Sequence, residues 1–364
     1  MNTRERFVKT LIGEKVDRVP FIKVFGGTNA AHKEWEAEYP GIGNTIDKVL
    51  GFEGKYRGWE TTPVNMDASK MDEPITIKET DDIHVRRDGD RVVYQFYKQG
   101  DYDRHAIEWP IKTMSDWNVY KTRFLDPDDT ERFPANWNEL VKEYKTRDYP
   151  LQLTHWGVYG FARKKMGDEN LAYAFYDNPK LVHDIMNYYT ETAIHIWEKM
   201  VKDVDFDLIE CWEDMAYKSG SLISPKTFRE FITPCYKKIS AFAREHGIKV
   251  ILVDSDGFIE DLTELMLEGG VTALYPYEVL AGNDVAQTLD RYPRVGIIGG
   301  LRKECMYEGK EAIDNEIEKA RKLIKKGRFI PGPDHFVLKN CTFANYRYFM
   351  ERLREVVMTT VPGN

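Results

Sequence analysis

The chain has 364 residues, of which 42% are hydrophobic, 13% aromatic and 31% charged, and its formal net charge is -8. That size buries a large core, and one α/β barrel carrying an insertion is the expectation over two ordinary domains. The acidic balance, without a block of Lys/Arg to neutralise phosphates, argues against a nucleic-acid partner, and no apolar stretch nears the eighteen or so residues that cross a bilayer.

Residues 2 to 12 carry helical spacing (Phe7, Val8, Leu11), and "VPFIKVF" then reads as a strand ending at Gly26 and Gly27. From 28 to 150 the sequence is aromatic and charged, and "ITIKETDDIHVRRDGDRVVYQFYKQG" alternates around Asp88-Gly89 like a β-hairpin. This region reads as an α+β excursion, with aromatics and a hairpin that fit a lid, a pocket wall or a homodimer contact. Beyond residue 150, "LQLTHWG", "FDLIECWED", "KVILVDSDG", "TALYPYE", "VGIIGGL" and "GRFIPGPDH" read as short strands separated by helical stretches. "SPKTFREFITPCYKKISAFAREHG" exemplifies these helices, with Ser224 as N-cap, Pro225 in the first turn and Gly247 closing it. Repeated βα units imply a parallel sheet, and so many of them favour a single (β/α)8 TIM barrel over residues 1–364. Cys211, Cys235, Cys305 and Cys341 lack CxxC spacing and "MNTRERFVKTLIGEKVDRVPF" has no signal-peptide pattern, so the chain reads as cytoplasmic and reduced.

In a barrel, polar residues at the carboxyl ends of strands face the active-site mouth. Four strand ends carry them here: Glu210, Glu213 and Asp214; Asp254 and Asp256; Glu278; Asp334 and His335. Carboxylates with one histidine suit Zn2+, because the ion offsets repulsion between neighbouring acids. The competing account of Asp254 or Asp256 is an N-cap on the following helix, although one helix does not need two caps. His155, at the end of "LQLTHWG", is read as a packing or hydrogen-bonding residue. "GIIGGL" lacks GxGxxG spacing and a Walker lysine, so it reads as a turn rather than a nucleotide cradle. Trp156, Tyr159, Trp212, Tyr217 and Tyr277 fall at or just past strand ends, where they would wall a pocket for an apolar or aromatic ligand.

The opening "RERFVKTLIGEKVDRVPF", the "ECWEDMAYKSGSLISPKTFREFITPCYKKI" block, "VDSDG", "LYPYEVLAGNDV" and "GRFIPGPDHFVLKNCTFANYRYFMERLREV" together resemble the uroporphyrinogen decarboxylase superfamily. Within it they look most like the methyltransferase-like branch that works with corrinoid proteins. The resemblance implies a (β/α)8 barrel. It speaks against the decarboxylase proper, whose arginine-rich "RQAGR" motif should follow the first strand, where this chain has "VFGGTNAAHKEW".

Thiol-methylating members of the superfamily, and the similarly folded cobalamin-independent methionine synthase, hold zinc with a His-x-Cys pair at a strand end and a later Cys. The synthase adds a Glu one strand on. Placed on this sequence, the pair falls on Asp254-Ser255-Asp256, the Glu on Glu278, and the last ligand on His335, with Cys341 as the thiolate alternative. An oxygen/nitrogen site leaves zinc a stronger Lewis acid toward oxygen or nitrogen substrates than a thiolate-rich one. The resemblance thus implies an enzyme that removes a methyl group from an ether or amine, with a methoxylated aromatic compound preferred. Its zinc ligands would be Asp256, Glu278 and His335, with Asp254 as fourth ligand or ligand partner. The acceptor would be the Co(I) of a corrinoid (cobalamin) on a separate protein, and Glu213, Glu210 or Asp214 would donate a proton, Glu213 being preferred. A metal-free decarboxylase or lyase is the alternative.

Overall fold

In the computed structural model, which describes residues 1–25, 30–98 and 104–363 (30–32 as backbone only), the strands fall into three sheets. The first strand is β1 (Glu60–Thr61), followed by β2 (Ile75–Glu79), β3 (Ile83–Arg87), β4 (Val93–Tyr97) and β5 (Arg104–Glu108). The chain returns with β6 (Leu151–His155) and β7 (Leu208–Trp212), makes the short pair β8 (Ala216–Tyr217) and β9 (Gly220–Ser221), and continues with β10 (Val250–Asp254), β11 (Ala273–Tyr275), β12 (Gly296–Leu301) and β13 (Phe329–Pro333). Strands β1, β6, β7, β10, β11, β12 and β13 pair in that order, every pair parallel. Parallel neighbours need long crossovers, which is why helices such as Pro179–Met200 and Lys310–Ile324 lie between the later strands. Among the described residues no helix is long and apolar enough to cross a membrane.

Strand parity sorts the core into two layers. Leu208, Val250, Leu252, Ala273, Tyr275, Ile298 and Ile330 meet Phe7 and Leu11 of the N-terminal helix Thr3–Ile12 in one inner cluster. Their neighbours Ile209, Cys211, Ile251, Val253, Leu274 and Ile297 face the helix layer. Strands buried on both faces read as continuous apolar runs, as "VILV" does, and that parity turns Asp254 inward.

The expected first strand, "VPFIKVF", makes no ladder, and its end at Gly26 and Gly27 lies outside the described residues. Residues 19–25 are nonetheless buried, all but Lys23. Ile22 lies against Gly58, beside β1, and Val24 against Gly332 of β13, so close that a Cβ on either glycine would meet them at 2.4 and 2.5 Å. Among the described residues, the expected eight-stranded barrel is therefore seven paired parallel strands, with an unpaired segment packed beside the two outer ones.

Within the region read as an excursion, β2, β3, β4 and β5 form an antiparallel sheet in that order, and β3 and β4 join around Asp88–Val92. The left-handed position of this turn is Arg91 (φ 68°); Gly89 instead makes room for the Asp72 carbonyl, 2.5 Å from where its Cβ would be. This sheet is tied to the main body by Lys165, wholly buried, which reaches Asp90 at 2.8 Å and Asp67 at 3.1 Å. Burial opposes the charge on Lys165, but the two aspartates outweigh it and hold the ammonium well above its usual range.

The helix Pro225–Thr227 starts under a Ser224 cap, as its sequence implies, then widens into a π-turn at Phe228–Ile232 before Thr233–Glu245. Pro234 lies in the first turn of that last segment and has no N–H, which accounts for the break in regular pairing.

His155 ends β6 with its ring wholly buried 4.8 Å from Tyr189 and 5.8 Å from Trp197 (ring centroids), and neither ring nitrogen has a hydrogen-bond partner. Burial alone pushes its pKa down to about 3.

Two stability tests follow from these buried groups. Lys165→Met leaves Asp67 and Asp90 short of their buried cation and is expected to cost about 3 kcal/mol or more, seen as a lower urea midpoint. For His155 the unfolded chain takes up a proton near pH 6.5 whereas the fold resists it to about 3, so wild type loses stability as pH falls through that window. His155→Phe should lose up to about 1.4 kcal/mol less per pH unit there, and unfolding at pH 7 and pH 5 checks it. An unchanged wild-type-to-variant difference at the two pH values would contradict this account.

Candidate metal and active site

The mouth is assembled from loops that follow the inward-facing strand ends. Neither Asp254 nor Asp256 caps the helix Glu260–Gly269, whose N-cap is Ile259 without a side-chain bond; Asn283 Oδ1 accepts from the Ile259 N–H instead. That leaves Asp256 free to face His335, with Oδ2 and Nε2 3.2 Å apart. Glu278 Oε2 accepts from Gly257 N–H at 2.8 Å, which draws the loop after β11 against the loop after β10. Asp256, Glu278 and His335 each present a ligand atom, all within 4.8 Å of one another; Asp214, Asp254 and Asp256 form an adjoining group. Burial works against the His335 imidazolium, but the hydrogen bond and charge of Asp256, helped by Glu278, raise its pKa overall. For Asp214, burial and then the Asp256 charge push the carboxyl up against the pull of Arg163, which lies 3.3 Å away.

Beside this cluster lies a cavity of about 380 Å³ lined by Glu210, Asp254, Asp256, His335, Trp156 and Trp212, with Phe25, Tyr56, Arg57, Phe336 and the β6 side chains completing it. Its floor is set by Arg57. The guanidinium donates to Glu210 Oε1 at 2.6 Å and contacts Asp254 Oδ2 at 3.4 Å and the Tyr275 hydroxyl at 3.3 Å, while Trp59 Nε1 reaches Glu210 Oε2 at 3.4 Å. Burial, and then the neighbouring Glu210 charge, hold the Asp254 carboxyl well above its usual range in spite of Arg57.

The expected roles are redistributed by this geometry. Glu213 is wholly buried and accepts from the N–H groups of Val158, Tyr159 and Gly160 and from the Tyr236 hydroxyl, at 2.6 to 3.0 Å. It anchors the start of the helix Val158–Met166 and does not line the cavity, which corrects its expected role as proton donor. Glu210 lines the cavity, but both its oxygens are engaged, so it holds Arg57 rather than offering a proton. Asp334 is likewise buried, accepting from Val279 and Lys303 N–H groups. Cys341, the thiolate alternative, precedes the helix Phe343–Thr359 and is absent from the ligand cluster among the described residues.

Of the five aromatic candidates, Trp156 and Trp212 wall the cavity, edge to face at 6.2 Å. Tyr159 is buried against Phe175, with parallel rings at 6.5 Å. Tyr277 takes φ 62°, which turns its hydroxyl onto Thr288 in the core, and Tyr217 is 59% exposed on β8. Arg57 was missed altogether because it lies in the region read as an excursion. Its signal was "RGW": Gly58, at φ 109° and tight against Ile22, fixes the approach to β1 and leaves Arg57 and Trp59 flanking it.

The sequence model of the family described as Uroporphyrinogen decarboxylase (URO-D) matches residues 156–356. No curated protein matches. Among solved structures, a methyltransferase from Methanosarcina mazei is similar over 98% of this chain and 99% of its own, at 15% identity and TM-score 0.61, a likeness of fold. A protein assigned as a vitamin-B12 independent methionine synthase from Listeria monocytogenes covers 60% of this chain and 67% of its own at 14% identity, but its TM-score of 0.31 carries no argument. With more than half of its length, from the loop after β6 to the last helix, matching that one family, the chain belongs to the uroporphyrinogen decarboxylase family.

Proposed function

We propose that the chain is a methyltransferase that takes a methyl group off a methoxylated aromatic compound and passes it to the Co(I) of a corrinoid carried by a separate protein. Zinc would be held by Asp256, Glu278 and His335. The observation that carries this reading is the meeting of those three side chains, from the loops after β10, β11 and β13, at the edge of a cavity walled by two tryptophans.

The residues fit the ion. Bonds of ~2.1 Å in a tetrahedral site place ligand atoms about 3.4 Å apart, and His335 Nε2 and Asp256 Oδ2 stand at 3.2 Å. Glu210 is paired with Arg57, and among the described residues Asp214, Asp256 and Glu278 gather beside Arg163 and His335, a concentration of negative charge that a dication offsets. Three protein ligands, with the Asp256 side chain 39% exposed, leave a position open to substrate, as catalytic zinc requires. Bound there, zinc supplies Lewis acidity toward the ether oxygen, otherwise a poor leaving group.

The methyl carbon leaves its oxygen without the bonding pair and accepts a pair from the Co(I) co-substrate; the oxygen left behind needs a proton. Asp254, whose pKa is raised by burial and by the neighbouring Glu210 charge, lies beside the cluster and donates it. Trp156 and Trp212 hold the ring of the substrate, and Arg57, itself held by Glu210, positions Asp254. The His335–Asp256 hydrogen bond favours a second reading, because it also holds the mouth together without an ion; in that case the chain is a metal-free decarboxylase or lyase.

Metal analysis of the purified protein separates the two. About one zinc per chain is expected in wild type, with loss from Asp256→Ala, Glu278→Ala and His335→Ala while cooperative unfolding persists. Methyl transfer from methoxybenzenes to a reduced corrinoid protein should fall with zinc in the same variants. Full activity after exhaustive chelation would overturn the zinc reading in favour of the second.

A further inference from the structure

The aromatic side chains of the cavity already carry cations belonging to the protein. Lys164 Nζ lies 4.9 Å from the Trp156 ring, Arg163 Cζ 5.2 Å from the Trp212 ring, and Arg57 Cζ 5.7 Å from the Tyr56 ring. Neither Lys164 nor Arg163 lines the cavity, so the two tryptophans are charged from outside it. Each cation is itself anchored, Lys164 to Asp67 at 2.9 Å and Arg163 to Asp214 at 3.3 Å.

A ring attracts a cation through the negative potential of its π faces. A positive charge fixed near one face draws on that potential and leaves the other less able to hold a second cation. The same polarisation improves stacking with an electron-rich neutral ring, whose own π density meets an electron-depleted partner. An acidic mouth lined with aromatics would ordinarily suit a quaternary ammonium; Lys164 and Arg163 work against that use.

We infer that Lys164 and Arg163 are specificity-determining residues, which polarise the Trp156–Trp212 wall so that the cavity takes neutral, electron-rich aryl ethers and refuses alkylammonium methyl donors. The inference rests on the proposed methyltransferase reading for the identity of the site, but its test requires neither turnover nor a corrinoid protein.

Binding of 1,2-dimethoxybenzene and of phenyltrimethylammonium would be followed by tryptophan fluorescence, in zinc-loaded and in chelated protein. Wild type is expected to favour the ether by about tenfold or more when zinc-loaded. The Lys164→Gln/Arg163→Gln double variant should lose at least severalfold of that preference, by gaining affinity for the ammonium compound, in both metal states. Lys164→Arg/Arg163→Lys, which keeps both charges, should retain it. A variant that merely loosens the fold weakens both ligands and leaves their ratio in place, and that outcome overturns the inference. So does a wild type that prefers the cation when zinc-loaded, or that binds neither probe. Loss of methyl transfer activity alone would strike the reading of function and leave the charge preference standing.

Discussion

Arg57 permits the inner face of this sheet to carry carboxylates at all. Glu210 and Asp254 both project inward from adjacent strands β7 and β10, with side chains 5% and 11% exposed. Two acids taken out of water so close together could not both ionise unaided, and each would resist its charge. One guanidinium shared between them lets Glu210 accept a short hydrogen bond from a fixed donor and reaches Asp254 only at 3.4 Å, so burial raises the pKa of Asp254 in spite of it. The asymmetry between two chemically similar acids is thus set by where a single cation sits, in the way that paired carboxylates elsewhere are given separate roles by their surroundings.

That cation arrives from outside the segment that the family's model matches. Residues 156–356 contain Glu210, Asp254, Asp256, Glu278 and His335, whereas Arg57, Tyr56 and Phe25 come from the chain before it. The matched part therefore supplies the acids and the candidate metal ligands, and the preceding part supplies Arg57 and one wall of the cavity. The N-terminal region is in turn fastened through Lys165, whose ammonium grips Asp67 and Asp90 while its own helix begins on the Glu213 carboxylate. Packing on one side of the molecule and charge balance in the mouth are for this reason mechanically linked.

Where strand parity holds, the site was legible. "VILVD" announces a strand buried on both faces that ends in an acid, and the sheet places Asp254 inward as that pattern requires. Legibility fails a residue or two past the strand end, where the backbone turns. Glu213 and Asp214 are consecutive, yet Asp214 adopts φ 44° and faces the mouth while Glu213 turns away to receive three backbone donors. Tyr277 is diverted in the same manner by its left-handed backbone. The missing strand "VPFIKVF" has a related cause: a mostly apolar run reports burial, and residues 19–25 other than Lys23 are buried, but only hydrogen-bonded neighbours make a strand. Arg57 could not be found by periodicity, since β1, the strand it approaches, has two residues.

The mouth's electrostatics now follow in order from these placements. Arg57 offsets the floor and Arg163 the outer acid, Asp214, so the charge left uncompensated is concentrated on Asp256 and Glu278, beside His335. Those acids are also the more exposed ones, and their loops are fixed by backbone bonds such as Gly257 N–H to Glu278 rather than by buried cations. A cation entering from solvent therefore meets two preorganised carboxylates and a histidine whose protonated form Asp256 favours. Metal affinity at this site should accordingly weaken as pH falls, because Asp256 holds the His335 proton in competition with the ion. Arg163 belongs to both halves of this account: the same guanidinium that neutralises Asp214 lies over the Trp212 ring, so the balance of charge in the mouth and the polarity of its aromatic wall are set by one side chain.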